Sequence, residues 1–135
     1  MIVWTYEGLK WWLRTALHGD NRNTQVHLYK NNHTPTVDSV DADFTECDFA
    51  GYFSVIGPDW LTPTTGAGKA TNLANPVEFG TGVNAEPGQD IYGWYMTDND
   101  GHVVCAERFS DAPRHVAGES STCTVYPQIY STNSA

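Results

Sequence analysis

The sequence predicts a mainly β protein, an antiparallel β-sandwich or small barrel with one N-terminal α-helix. Three observations carry this. Charged residues are only 17% of the chain, below the usual quarter, while Gly, Pro, Thr, Asn and aromatic residues are plentiful. Apolar residues alternate at period two beyond the first twenty positions. Gly-, Pro- and Asn-rich clusters break that alternation into short runs. At 135 residues the chain has the length of one domain able to bury its own core. Residues 1–22 read as an amphipathic helix segment and residues 23–135 as a single β domain, undivided by repeats or linkers.

The helix is expected over residues 5–18. Thr5 is placed to cap it, Glu7 lies in the electropositive first turn, and Gly19 supplies a stop. Tyr6, Leu9, Trp12, Leu13, Ala16 and Leu17 form one apolar stripe. Trp11 falls on the other face, and Trp4 projects from a similar azimuth just before it. Either a neighbouring loop covers them, or they anchor a partner subunit, since large aromatics on a polar face are typical of interface hot spots.

The first expected strand carries Val26 and Leu28 on one side and His27 and Tyr29 on the other, and ends at Asn31–Pro35. An acidic stretch, Asp38–Asp48, follows with no basic residue. Phe44 and Phe49 bracket its turn Thr45–Asp48 and are expected to pin it to the core. A second strand is expected at Tyr52–Ile56, a loop containing Trp60 at Pro58–Gly68, a short strand at Val77–Phe79 and another loop at Gly80–Gly88. The strongest β signal is the pair Ile91–Thr97 and His102–Phe109, joined by Asp98-Asn99-Asp100-Gly101, whose residues tolerate the positive φ of a hairpin turn. Both its faces are rich in apolar groups, so it is expected at the centre. The last strand, Cys123–Tyr130, contains Pro127, which lacks an amide donor and calls for an edge or a bulge.

Seven Lys+Arg against sixteen Asp+Glu give a net charge of −9, which repels phosphate backbones and argues against a nucleic-acid partner. No run approaches the ~20 apolar residues of a membrane span, and no signal-peptide pattern is expected at the N-terminus. Cys47, Cys105 and Cys123 are odd in number and widely spaced, which suits small apolar core residues better than disulfides or zinc. His18, His27, His33, His102 and His115 form no HxH or HExxH pair. There is no GxSxG elbow, and Gly66-Ala67-Gly68-Lys69 lacks the glycine spacing of a phosphate loop. Asp98–Gly101 resembles the opening of a calcium loop, but Phe109 stands where the closing Glu belongs, so a plain turn is favoured. The Asp38–Asp48 stretch either binds calcium or stays solvated. Asn32-His33-Thr34 is a formal glycosylation sequon. No cofactor and no enzymatic activity are expected.

Four strings in order resemble a family of small proteins encoded among the head-morphogenesis genes of tailed bacteriophages. They are His27–Pro35 (HLYKNNHTP), Ala42–Tyr52 (ADFTECDFAGY), Ile91–Asp98 (IYGWYMTD) and Ala106–Phe109 (AERF). The resemblance spans roughly residues 26–130; the N-terminal helix is its more variable part. It implies a virion structural protein at the capsid surface, made in the host cytoplasm. The expected role is head decoration (cement), with the major capsid protein and copies of itself as partners in a symmetric homo-oligomeric array. On this reading Asp43 and Thr45 satisfy backbone donors of their turn, and Phe44, Phe49 and Tyr52 lock it. Tyr92, Trp94, Glu107, Arg108 and Phe109 build the central hairpin, and Trp4, Trp11 and Trp60 are the partner contacts. The alternatives are another virion part (tail, neck or fibre) or a carbohydrate-binding β-sandwich that stacks Trp60 or Tyr130 on glycans.

Overall fold

The computed structural model describes residues 1–8, 24–58, 64–66, 69–80, 84–119 and 122–132. The fold is mainly β, antiparallel and sandwich-like. Its principal sheet has five strands in the order β1 (Ile2–Trp4), β9 (Val103–Arg108), β8 (Gly93–Thr97), β2 (Gln25–Tyr29) and β3 (Val55–Ile56). Smaller antiparallel sheets pair β7 (Asn84–Ile91) with β10 (Arg114–Glu119), and β6 (Val77–Phe79) with β11 (Cys123–Val125). A third group orders β12 (Gln128–Thr132), β5 (Lys69–Leu73) and β4 (Thr64–Gly66).

Alternation along β2 and β8 sorts side chains to the two faces of the principal sheet. Val26, Leu28, Trp94 and Met96 point to one face, where they pack with Val77, Phe79, Ile91, Val116, Cys123 and Val125 from the smaller sheets. Tyr29, Tyr95, Val103 and Ala106 point to the other face and meet Phe44. The β8–β9 hairpin is therefore central and covered on both sides, as its two apolar faces predict. All five β8 residues are buried. Gly101 takes φ +83 in its turn, a conformation that L side chains rarely adopt.

The hairpin carries one irregularity. Met96 opposes Cys105 and Thr97 opposes Val103, so Val104 is the extra residue of a bulge. That bulge receives the N-terminal segment. Residues 2–4 pair with β9, a strand the helical signal of the next residues concealed. Thr5 then turns the chain: its amide donates to the Val104 carbonyl at 3.3 Å, and its hydroxyl donates to the Val103 carbonyl. The same hydroxyl accepts the Gly8 amide at 2.9 Å, a helix N-cap, and residues 6–8 are helical. A Cβ on Gly8 would sit 1.9 Å from the Val104 carbonyl oxygen, so only glycine lets the helix start lie on the bulge. The rest of the expected helix lies outside the described residues.

Elsewhere the strand bounds differ from expectation for local reasons. The expected loop Gly80–Gly88 gives way to β7 from Asn84. The β7–β10 register shifts between Gln89 and Ala85, and this irregularity takes up the stretch holding Pro87 and Gly88. Part of the expected Pro58–Gly68 loop forms β4. The second expected strand shrinks to Val55–Ile56, because only these residues pair with β2. Pro127 splits the last strand into β11 and β12.

Candidate interaction surface

The chain leaving β2 passes over the aromatic face of the principal sheet, and a set of side-chain clamps holds it there. Asn31 is the first. Its amide nitrogen donates to the Asp43 carbonyl at 2.8 Å, and its carbonyl oxygen accepts the Thr45 amide at 2.7 Å. Main-chain bonds from Lys30 to Thr45 and from Cys47 to Leu28 continue the pairing through a Tyr29–Glu46 bridge. Ser39, the one buried residue of the stretch 36–43, accepts the Thr36 amide at 2.9 Å and contacts the His33 ring at 3.2 Å. Asp43 reaches back to accept the Val40 amide at 2.9 Å, closing a 3-10 turn at Asp41–Asp43.

Phe44 locks this loop from below. Its ring stacks on Tyr95 at 4.5 Å and meets Tyr29 and His33 edge-on at 5.1 and 5.0 Å. Burial pushes the Tyr29 hydroxyl up to about 12 and raises Tyr95 further. At Thr45 the bonded groups are those of the main chain, held by Asn31 and Lys30; the expected role in turn closure falls to Asn31. Phe49 packs against Tyr52 on the opposite, strand-covered side. The two phenylalanines thus bracket the acidic turn but tie it to different faces of the sheet.

A polar relay joins these layers. His27, stacked on Tyr95 at 4.7 Å, bonds Thr97 Oγ1 through Nε2 and Glu46 Oε1 through Nδ1, each at 2.8 Å. The Tyr52 hydroxyl donates to the same Glu46 oxygen at 2.7 Å and accepts the Leu28 amide at 3.1 Å. Hydroxyl, imidazole and carboxylate in line resemble a nucleophilic triad, but Thr97 is 4% exposed and His27 8%, so the hydroxyl end of the relay is sealed inside the fold and only the Glu46 carboxylate reaches the surface. Its effect is to staple Glu46 to the sheet. Asp48 is stapled likewise: the Gln89 amide and then Lys30 hold its carboxyl below the usual range, at 2.6 and 2.7 Å.

While its backbone is tied down, this loop turns apolar side chains outward. Val37 lies within the turn Thr36–Ser39 and Val40 just after it; both are exposed, and the main-chain bond from Tyr6 to Val37 (3.0 Å) brings exposed Tyr6 beside them. Asp38, Asp41 and Asp43, next to them in the chain, are exposed as well. A second exposed apolar pair, Phe53 and Ile56, lies at the β3 edge of the principal sheet. Tyr126 is also exposed, between β11 and β12.

The remaining expected residues are distributed as follows. Trp94 donates from Nε1 to Glu107 Oε2 at 3.0 Å across the hairpin, and Arg108 lies over the Tyr92 ring and donates to the His33 carbonyl. Phe109 is buried beneath Arg114. Trp4 lies half-buried on β1, packed against the core at the sheet edge away from β3; Trp11 and Trp60 fall outside the described residues. Tyr6, expected in the apolar stripe of the helix, is 58% exposed at the helix start, and Ile56 of the expected second strand is exposed because β3 is the sheet edge; Val37 and Val40 carry no sequence signal, because exposure of an apolar side chain in a loop leaves no periodicity.

At the hairpin tip Asp98, Asp100 and His102 place ligand-type atoms within 4.8 Å of one another. The Asp98 carboxylate accepts the Asp100 and His102 amides at 2.9 Å and meets His102 Nδ1 at 3.2 Å, so the cluster is accounted for as an Asx turn. Cys47, Cys105 and Cys123 are buried free thiols, and burial pushes Cys47 and Cys105 up to about 12. Among the described residues no helix is long and apolar enough to cross a membrane. No family model, no curated protein and no solved structure matches the chain.

Proposed function

We propose that the chain is a virion structural protein, a decoration protein that binds the head surface of a tailed phage and stabilises the shell. The observation that carries this reading is a closed framework with surplus apolar surface on the outside: Tyr6, Val37 and Val40 on a clamped loop, Phe53 and Ile56 on a sheet edge. The four sequence strings that resemble phage head proteins fall on the elements that build this framework, namely β2, the clamped loop and the hairpin. Decoration asks for binding surface and avidity rather than chemistry. The thiols are buried and protonated, and Glu46 and Asp48 are engaged in holding the loop. A net charge of −9 keeps such a protein off packaged DNA.

Electron microscopy of particles made by the encoding phage tests this reading. The expected result is density for this fold repeated at lattice positions on the head. Density confined to the tail or neck would assign it to another virion component, and absence from the particle would overturn the reading.

A further inference from the structure

We propose that residues 36–43 together with Tyr6 form the docking face, and that its partner is a shell-protein surface on which Lys or Arg side chains rim a shallow apolar patch. This deepens the decoration reading and rests on it. Three observations lead there.

The first is exposure without freedom. Tyr6 is 58% exposed, Val37 44% and Val40 40%. The backbone beneath them is nonetheless fixed by Ser39, Asn31 and the Asp43 cap. Solvent-facing apolar groups gain nothing from this rigidity in the isolated protein. A partner gains much, because the ordering cost of binding has been met on folding.

The second is the sign of the rim. Asp38, Asp41 and Asp43 are all exposed and alternate along the chain with the two valines. Among the described residues, the cations bonded to the loop's own ends are occupied: Lys30 is paired with Asp48 at 2.7 Å, and Arg108 is held by the His33 carbonyl and the Tyr92 ring. The carboxylates of residues 38–43, with no base among them, attract a basic partner and repel nucleic acid and anionic lipid. The third is contrast. Among the described residues, Phe53 and Ile56 at the β3 edge have one exposed carboxylate bonded beside them, Glu46 on the Tyr52 hydroxyl, against the run of three at Asp38, Asp41 and Asp43.

Shells assembled by the encoding phage without this protein are the binding probe. Purified wild-type protein is added, and bound and free fractions are separated by sedimentation at low and high salt. Three variants are compared: Val37→Ser with Val40→Ser, Asp38→Asn with Asp41→Asn, and Tyr126→Ser as an exposed control outside the face. Asp43 is spared because it caps the turn. All the chosen side chains are exposed, so unchanged melting temperatures confirm folding.

The expected result is wild-type binding that weakens with salt. The valine pair should lose about tenfold in affinity or more, close to 1.4 kcal/mol. The asparagine pair should bind more weakly and lose most of its salt dependence, and Tyr126→Ser should bind as wild type. Valine and asparagine pairs that bind like wild type would overturn this docking face while leaving the decoration reading in place. Wild-type protein that does not bind the shells would overturn the decoration reading, and the docking face with it.

Discussion

The principal sheet is closed by different means on its two faces. One face is covered mainly by other strands, and its contacts mix aliphatic, thiol and aromatic side chains, among them Trp94, Phe79 and Phe49, from the β7–β10 and β6–β11 pairs and the chain before β3. The other is covered by an irregular loop, and the contacts there are a ring stack of Phe44, Tyr95, Tyr29 and His27 with polar clamps above. A strand layer brings its own backbone hydrogen bonds. A loop does not, so its amides and carbonyls need Asn31, Ser39 and Asp43 as partners. The strand-covered face hides what it holds. The loop-covered face spends its inward residues on clamps and leaves Val37 and Val40 outside.

The largest expected effect comes from breaking the strand-covered face. Trp94→Ala removes a ring that is 1% exposed and strips Glu107 of its indole donor, so calorimetry should show a loss of about 3–5 kcal/mol. Phe44→Ala attacks the other face and should cost about 3 kcal/mol. Its signature differs, because the 30–48 loop should become protease-sensitive while the β8–β9 hairpin keeps its protection. Loss of protection throughout would mean that the two faces are one cooperative unit.

Alkali separates the faces by chemistry. Cys47, Cys105 and Cys123 on the strand-covered face, and Tyr29 and Tyr95 on the other, all have acidities weakened by burial. A group whose pKa is raised on folding contributes stability below its unfolded pKa and loses it as pH climbs toward the folded value. Thiols therefore set the onset near pH 9 and the tyrosines add to the slope near pH 10, at about 1.4 kcal/mol per pH unit for each fully engaged group. Chemical denaturation at stepped pH should show Cys105→Ala blunting the first phase and Tyr95→Phe the second. Asn31→Ala, which frees one clamp, should cost only about 1 kcal/mol of global stability while raising local exchange at Thr45.

The strand-covered face was largely legible in the sequence. Alternation in Val26–Tyr29 and in the hairpin reports burial directly, and Asp98–Gly101 announces its turn. β1 escaped because three residues are too short to show alternation beside a strong helical stripe. The Pro87-Gly88 pair disguised β7 as a loop, since the bulge that accommodates it depends on β10, about thirty residues downstream. The loop-covered face was legible only in part. Phe44 and Phe49 read as anchors, but Asn31 reads as generic turn chemistry, and the His27–Glu46–Tyr52 relay joins residues from three segments that no local pattern links.

The central claim is that the acidic loop is a rigid part of the framework that carries a preformed docking face. Amide hydrogen exchange on the free protein tests it most directly. The amides of Lys30, Thr45 and Cys47, which bond across the loop, should be protected to a degree approaching those of β8 and β9. Exchange of these amides at the rate of an unstructured chain, with the hairpin still protected, would contradict it.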